Sequence, residues 1–127
     1  MSAALDEIVA AAEGGSPKTI IERLSKSFSS PHGSRQDVKT MIVMRLQRGG
    51  WSKIFFVSRD ITATDATHVT TSLDTVLARG GNVQSLEDVV PESAGAWHFD
   101  LEWALEEDVW RIVSAKYSRQ NIRRLLP

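Results

Sequence analysis

His98, Asp100 and Glu102 stand at alternate positions of one stretch and bring together an imidazole and two carboxylates. On a strand the three share a face and sit about 7 Å apart from one to the next. Such a set could in principle ligate a metal or share a proton. The spacing is wider than one ion's ligands need unless the side chains converge. The intervening residues Trp97, Phe99, Leu101 and Trp103 form a complete apolar face of their own. The polar row is therefore expected to face water, and no metal site is expected.

Two further groups could act as a general base. His32 lies between Pro31 and Gly33, and an imidazole there could take a proton from a substrate near neutral pH; the plainer role for such a residue is a solvated or capping one. Asp74 shares an alternating row with His68, Thr70 and Ser72. Lining a partly apolar cavity, its carboxyl would have a pKa raised into a useful range; on an outer face it would be one more solvated acid. Asp37 is best explained as a helix cap. No glycine-rich phosphate loop, nucleophile elbow or metalloprotease helix is present.

The elements that must position these groups follow from length, charge and periodicity. The 127 residues suit a single domain, 1–127, able to bury a core without cross-links. Fifteen Lys and Arg against sixteen Asp and Glu leave a net charge of −1, so no overall field draws nucleic acid or an anionic membrane. Cysteine is absent, which excludes disulfides, thiolate chemistry and Cys-based metal sites. No run approaches the roughly 18 apolar residues of a membrane helix. Met1 to Glu13 has neither the basic start nor the apolar run of a signal peptide. The cytoplasm is the expected compartment, with a leader removed ahead of Met1 as the reservation.

Leu5, Ile8, Val9 and Ala12 predict a helix over Ala3 to Ala12, with residues 1–15 as N-terminal helix and linker. Ser16-Pro17 restarts the chain, and Ile20, Ile21, Leu24 and Phe28 predict an amphipathic helix reaching Phe28. Ser34 opens a third helix with the stripe Val38, Met41, Ile42 and Leu46, ended by Gly49-Gly50. Four strands follow: Ile54 to Thr62, His68 to Leu77, a third in which Trp97 to Leu105 alternates apolar and polar, and Val109 to Tyr117 after the acidic turn Glu106-Glu107-Asp108. Gly80 to Gly95 is long for a hairpin loop and reads as a lid or a disordered crossing, with one helical turn at Ser85 to Val90. Residues 119–127 read as a basic tail.

The helix ending in Phe28, the Pro31-His32-Gly33 connection, the helix from Ser34 and the last hairpin carry a family likeness. Most telling is Val109-Trp110-Arg111-Ile112-Val113 after the acidic turn, running on to Ala115-Lys116-Tyr117. Together these resemble the nuclear transport factor 2-like (cystatin-like) superfamily, above all its small bacterial members of unassigned function. The resemblance implies an α+β cone: three N-terminal helices on the concave face of a strongly curved four-stranded antiparallel sheet, often with a pocket at the wide end. Phe28, Met41, Trp97, Phe99 and Trp103 are then expected to line the pocket, with His32 at its mouth. The other aromatic residues, Trp51, Phe55, Phe56 and Trp110, either shape that pocket or fill the core.

Many members place an acidic residue in a short hairpin between the second and third helices, near the source of the enzymes' acid–base group. Phe28 to Gly33 fills that place here without an Asp or Glu. Tyr117 is the only tyrosine, so the tyrosine-plus-acid arrangement of the superfamily's ketosteroid isomerases has little material. The last strand carries Trp110 and Ile112 on one face and Val109, Val113 and Tyr117 on the other. A second apolar face calls for a second covering surface, which in this superfamily is commonly another subunit's sheet. A homodimer through Val109, Val113 and Tyr117 is expected. The expected function is a cofactor-free, non-catalytic binding module for a small apolar ligand or a protein partner. The alternative is a lyase or isomerase using His32 or Asp74 as base on a hydrophobic substrate. A third reading is an accessory domain acting through its outer sheet and tail.

Overall fold

Apolar residues at helical spacing fold the start of the chain into α1 (Ser2–Glu13). Ser16 then precedes α2 (Pro17–Glu22), with Pro17 in the first turn, where it has no hydrogen bond to lose. The computed structural model of the protein describes residues 1–47, 53–79 and 83–127; Trp51 and the Gly49-Gly50 stop lie outside them.

Helical spacing carries α2 to Phe28, but the helix ends at Glu22. The cause is tertiary. Ile112 N–H donates to Arg23 O at 2.7 Å and Ser25 N–H donates to Ile112 O at 2.9 Å, so Leu24 docks as a one-residue parallel bridge on Ile112. This pairing supplies the backbone partners that a longer helix would have provided. Leu24 and Phe28 are buried all the same.

A two-stranded hairpin, β1 (Ser29–Ser30) and β2 (Gly33–Ser34), follows and carries His32 in its turn. Gly33 has φ +132°, and a Cβ there would stand 2.8 Å from the Asp37 side chain. The close approach lets Asp37 cap α3 (Arg35–Gln47). Ser34 N–H donates to Asp37 Oδ2 at 3.0 Å and Asp37 N–H donates to Ser34 Oγ at 3.3 Å. The third helix is less buried than its stripe predicts, with Val38 buried and Met41 and Met44 exposed.

Four antiparallel strands, β3 (Lys53–Asp65), β4 (His68–Ala78), β5 (Ala94–Glu106) and β6 (Val109–Gln120), form the sheet in that order. Val69 faces Trp103, Leu73 faces Phe99 and Thr75 faces Trp97 across β4 and β5, all on the concave side under the helices. Bulges in β3, between Phe56 and Ser58 and between Ala63 and Asp65, interrupt its register and bend the strand. A further bulge alters β6: Trp103 pairs with Ile112 but Glu102 pairs with Ser114, leaving Val113 unpaired. Strict alternation puts Tyr117 on the same outer face as Val109; the extra residue turns it inward, opposite Phe99.

The main core gathers Leu5, Leu24, Phe28, Leu73, Trp103 and Ile112. Trp103 is 1% exposed and its indole N–H donates to Thr71 Oγ1 at 3.0 Å, closing the narrow end of the cone. A second core sits on the opposite, convex face, where Val76, Ala78 and Val89 pack with Phe55, Leu86, Ile122, Leu125 and Leu126. The described part of the long loop, 83–93, and the tail therefore pack on the sheet; Gly80 lies outside the described residues. The loop's two single 3-10 turns, Leu86–Asp88 and Pro91–Ser93, and the tail cover one end of the sheet's outer face. Among the described residues no helix is long and apolar enough to cross a membrane.

Trp103→Ala is expected to cost about 3–5 kcal/mol in denaturant unfolding; a near-neutral result would contradict its place in the core. Glu107 and Asp108, at the β5–β6 turn, both have positive φ, 51° and 64°, as a type I′ hairpin requires. Asp108→Gly should therefore raise stability by about 1 kcal/mol, read as a higher urea midpoint at unchanged slope.

Candidate ligand-binding cavity

Trp103 fills the narrow end, but smaller side chains such as Ala12 and Ala115 stand nearer the wide end. The result is a cavity of about 260 Å³ between the helices and the concave sheet. Leu5, Leu24, Phe28, Leu73, Phe99 and Ile112 are among its walls. Three polar side chains among the described residues reach it: Thr75, Tyr117 and Arg45. Among the described residues, no carboxylate and no imidazole lines it.

Thr75 is 1% exposed, and its hydroxyl has no hydrogen-bond partner among the described residues. Its neighbours across the sheet are Phe56 and Trp97. Thr71, one pleat along, differs in holding the Trp103 indole. Tyr117 donates its phenol to Met41 Sδ at 3.3 Å and stacks on His32 with ring centroids 3.8 Å apart. The Tyr117 backbone N–H donates to His32 Nε2 at 3.2 Å. That contact occupies the nitrogen lone pair a general base would use, so His32 acts as a pillar for the Tyr117 ring.

Of the residues expected to line the pocket, Phe28, Met41 and Phe99 do so. Trp103 is instead packed into the core beneath it. Trp97 lies on the wall of an adjoining cleft of about 320 Å³ with Arg45, Arg79, Glu92 and Arg119. The Arg119 guanidinium stands over its ring, 5.3 Å from the centroid. Val109, Val113 and Tyr117 do not form one outer strip, because Tyr117 points inward beyond the bulge at Val113. Of the surface expected to join a homodimer, Tyr117 therefore lies in the cavity wall.

Asp74 is on the convex face, opposite His98, in a polar network that alternation alone leaves unpaired. His98 Nδ1 contacts Asp74 Oδ1 at 2.8 Å and Nε2 contacts Asp100 Oδ1 at 3.0 Å. Ser72 Oγ donates to Asp100 Oδ1 at 2.8 Å and lies 3.1 Å from His98 Nε2. Gln120 and Ser58 donate to the two Asp74 oxygens at 2.7 and 2.8 Å. These hydrogen bonds, His98 first, then Gln120 and Ser58, hold the Asp74 pKa down at about 2. The apolar setting that would raise it is absent. Asp74 raises the His98 pKa in return, outweighing partial burial, with Asp100 adding to the effect. Ser72, His98 and Asp74 lie in the order of a hydrolase triad. Asp100, however, accepts from Ser72 and lies against the same His98 nitrogen, so the Ser72 proton points to a carboxylate rather than to the imidazole. Glu102 lies farther along the same face, opposite Thr70. Among the described residues no group of three His, Asp or Glu side chains is placed to hold a metal ion.

The network makes stability depend on pH at both ends. The Asp74 contribution is present above an ordinary carboxylate pKa and is lost as pH falls through about 2. The His98 contribution is whole below about pH 6.5 and is lost as pH rises through its elevated folded value. Urea unfolding is expected to weaken by roughly 1 kcal/mol over that upper window. Asp74→Asn should flatten the slope; an unchanged slope would take the network out of the pH dependence.

No family model and no curated protein matches this sequence. Solved structures do match. An uncharacterised protein with a cystatin-like fold from Caulobacter vibrioides aligns at TM-score 0.71 and 13% identity, over 94% of this chain and 87% of that one. A nuclear transport factor 2-like protein of unknown function from Pseudomonas putida aligns at TM-score 0.70 and 8% identity, over 92% and 82%. A candidate dehydratase of the nuclear transport factor 2-like family from Streptomyces avermitilis aligns at TM-score 0.67 and 15% identity, over 94% and 93%. At such identities what is shared is the backbone arrangement of three helices on a bent four-stranded sheet: the chain has the nuclear transport factor 2-like, or cystatin-like, fold.

Proposed function

We propose that this chain is a non-catalytic binding module that takes a small apolar molecule into the cavity of its cone. The observation that carries the reading is the cavity itself, about 260 Å³ with an almost wholly apolar wall. Water held there would find few partners, whereas a hydrocarbon group loses nothing. About six methylenes at ~0.8 kcal/mol each supply about 5 kcal/mol, enough for a sub-millimolar Kd.

The alternative, a cofactor-free lyase or isomerase, needs an acid–base group inside the cavity. Asp74 faces outward and is held ionised, and the Nε2 of His32 is already hydrogen-bonded. A protein partner would meet the polar outer face of the sheet, where Ser72, Asp100 and His98 bind one another. The apolar interior favours the small molecule over both.

Calorimetry with the straight-chain alcohols from 1-hexanol to 1-decanol tests the reading. Affinity should rise about fourfold per methylene and then stop rising once the cavity is full. Ala115→Leu, which adds a side chain on the cavity wall, should move that cut-off to a shorter alcohol. Absence of saturable binding, or a cut-off that Ala115→Leu leaves in place, would refute the assignment.

A further inference from the structure

Resting on that reading, we infer that the molecule is an amphipathic anion: an apolar body in the cone with a carboxylate or similarly compact oxyanion at the mouth, received by Arg45 and the Thr75 hydroxyl. A purely hydrocarbon guest would leave two features of the wall unexplained. Thr75 is a buried hydroxyl without a partner among the described residues, in a cavity otherwise apolar enough to penalise it. Arg45 belongs to the walls of both the cavity and the adjoining cleft, so it stands where the apolar space gives way to the polar one.

The cleft on the far side of Arg45 is cationic. Among the described residues Arg79 and Arg119 line it with Arg45, and the one acid there, Glu92, lies 3.9 Å from Arg123. The chain as a whole carries a net charge of −1, so this excess is local. Arg119 is held over the Trp97 ring, which keeps a cation beside the mouth, and no ion pair joins it to a carboxylate among the described residues. Thr75 lies opposite that same Trp97, which puts the orphan hydroxyl at the cationic end of the cavity. Arg45 also sits in the last turn of α3, where a cation offsets the negative end of the helix dipole. That role explains a basic residue there, but not a hydroxyl left unpaired in the wall of the same cavity. A single oxyanion would answer both, accepting from Thr75 and from the guanidinium.

The test compares octanoate with 1-octanol by calorimetry at pH 7 and low salt, two probes with the same number of carbons and different heads. Octanoate should bind about tenfold more tightly, with the advantage shrinking as salt is added. Arg45→Gln should abolish the preference, bringing the octanoate affinity to that of 1-octanol for the same variant. Thr75→Val, close in shape, should weaken octanoate several-fold with the fold unchanged by circular dichroism. Equal saturable binding of the two probes, or a preference that survives Arg45→Gln, would overturn the anionic head group and leave the apolar cavity standing. Failure of both probes to bind the unaltered protein would overturn the cavity reading itself.

Discussion

The backbone of Ile112 joins the two halves of the molecule. On one side it pairs with Trp103 within the sheet; on the other its N–H and C=O take the chain that leaves α2, at Arg23 and Ser25. Two hydrogen bonds thereby end α2 at Glu22 and bury Leu24 and Phe28 against the concave face. They also fix where the helical layer meets the sheet edge. Around this joint, Arg23 donates to Trp110 O, and Ser25 Oγ donates to Glu106 Oε2 at 2.8 Å. The narrow end of the cone is thus closed by main-chain pairing and satisfied polar groups as well as by the Trp103 ring.

The bulge beside that joint has consequences at the other end. With Val113 squeezed out of register, Ala115 and Tyr117 point into the cone and Lys116 points away. A methyl group stands where a large side chain would have filled space, and the Tyr117 ring is braced between His32 and Phe99. The empty volume follows from this distribution: the largest buried ring is at the narrow end and small side chains stand nearer the wide end. Close packing is the rule in protein interiors, so an apolar space of this kind forgoes packing contacts that a guest could restore.

Charge is sorted with the same geometry. Carboxylates and imidazole gather on the convex face, where they hydrogen-bond across four strands. The cavity wall has hydroxyls and one guanidinium but no carboxylate among the described residues. A cavity so built can hold and orient a molecule yet has little with which to move a proton. The sequence residues that looked most chemical, Asp74 and His98, are chemical toward each other.

Much of the fold was legible in the residues themselves. The helix stripes, the Ser34–Asp37 cap and the apolar and polar faces of β5 follow from period and residue type, because each depends on neighbours a few positions away. Thr75 could have been marked as well, since it interrupts the apolar row of Leu73 and Leu77. The early end of α2, the inward turn of Tyr117, the docking of loop and tail on the convex face and the Ser58–Asp74–Gln120 contacts could not. Each joins segments distant in the chain, and a one-residue bulge reverses every side-chain direction beyond it without leaving a local signal. The cavity is of the same kind: it is the difference between the space the walls enclose and the volume their side chains occupy, and only the assembled walls determine that difference.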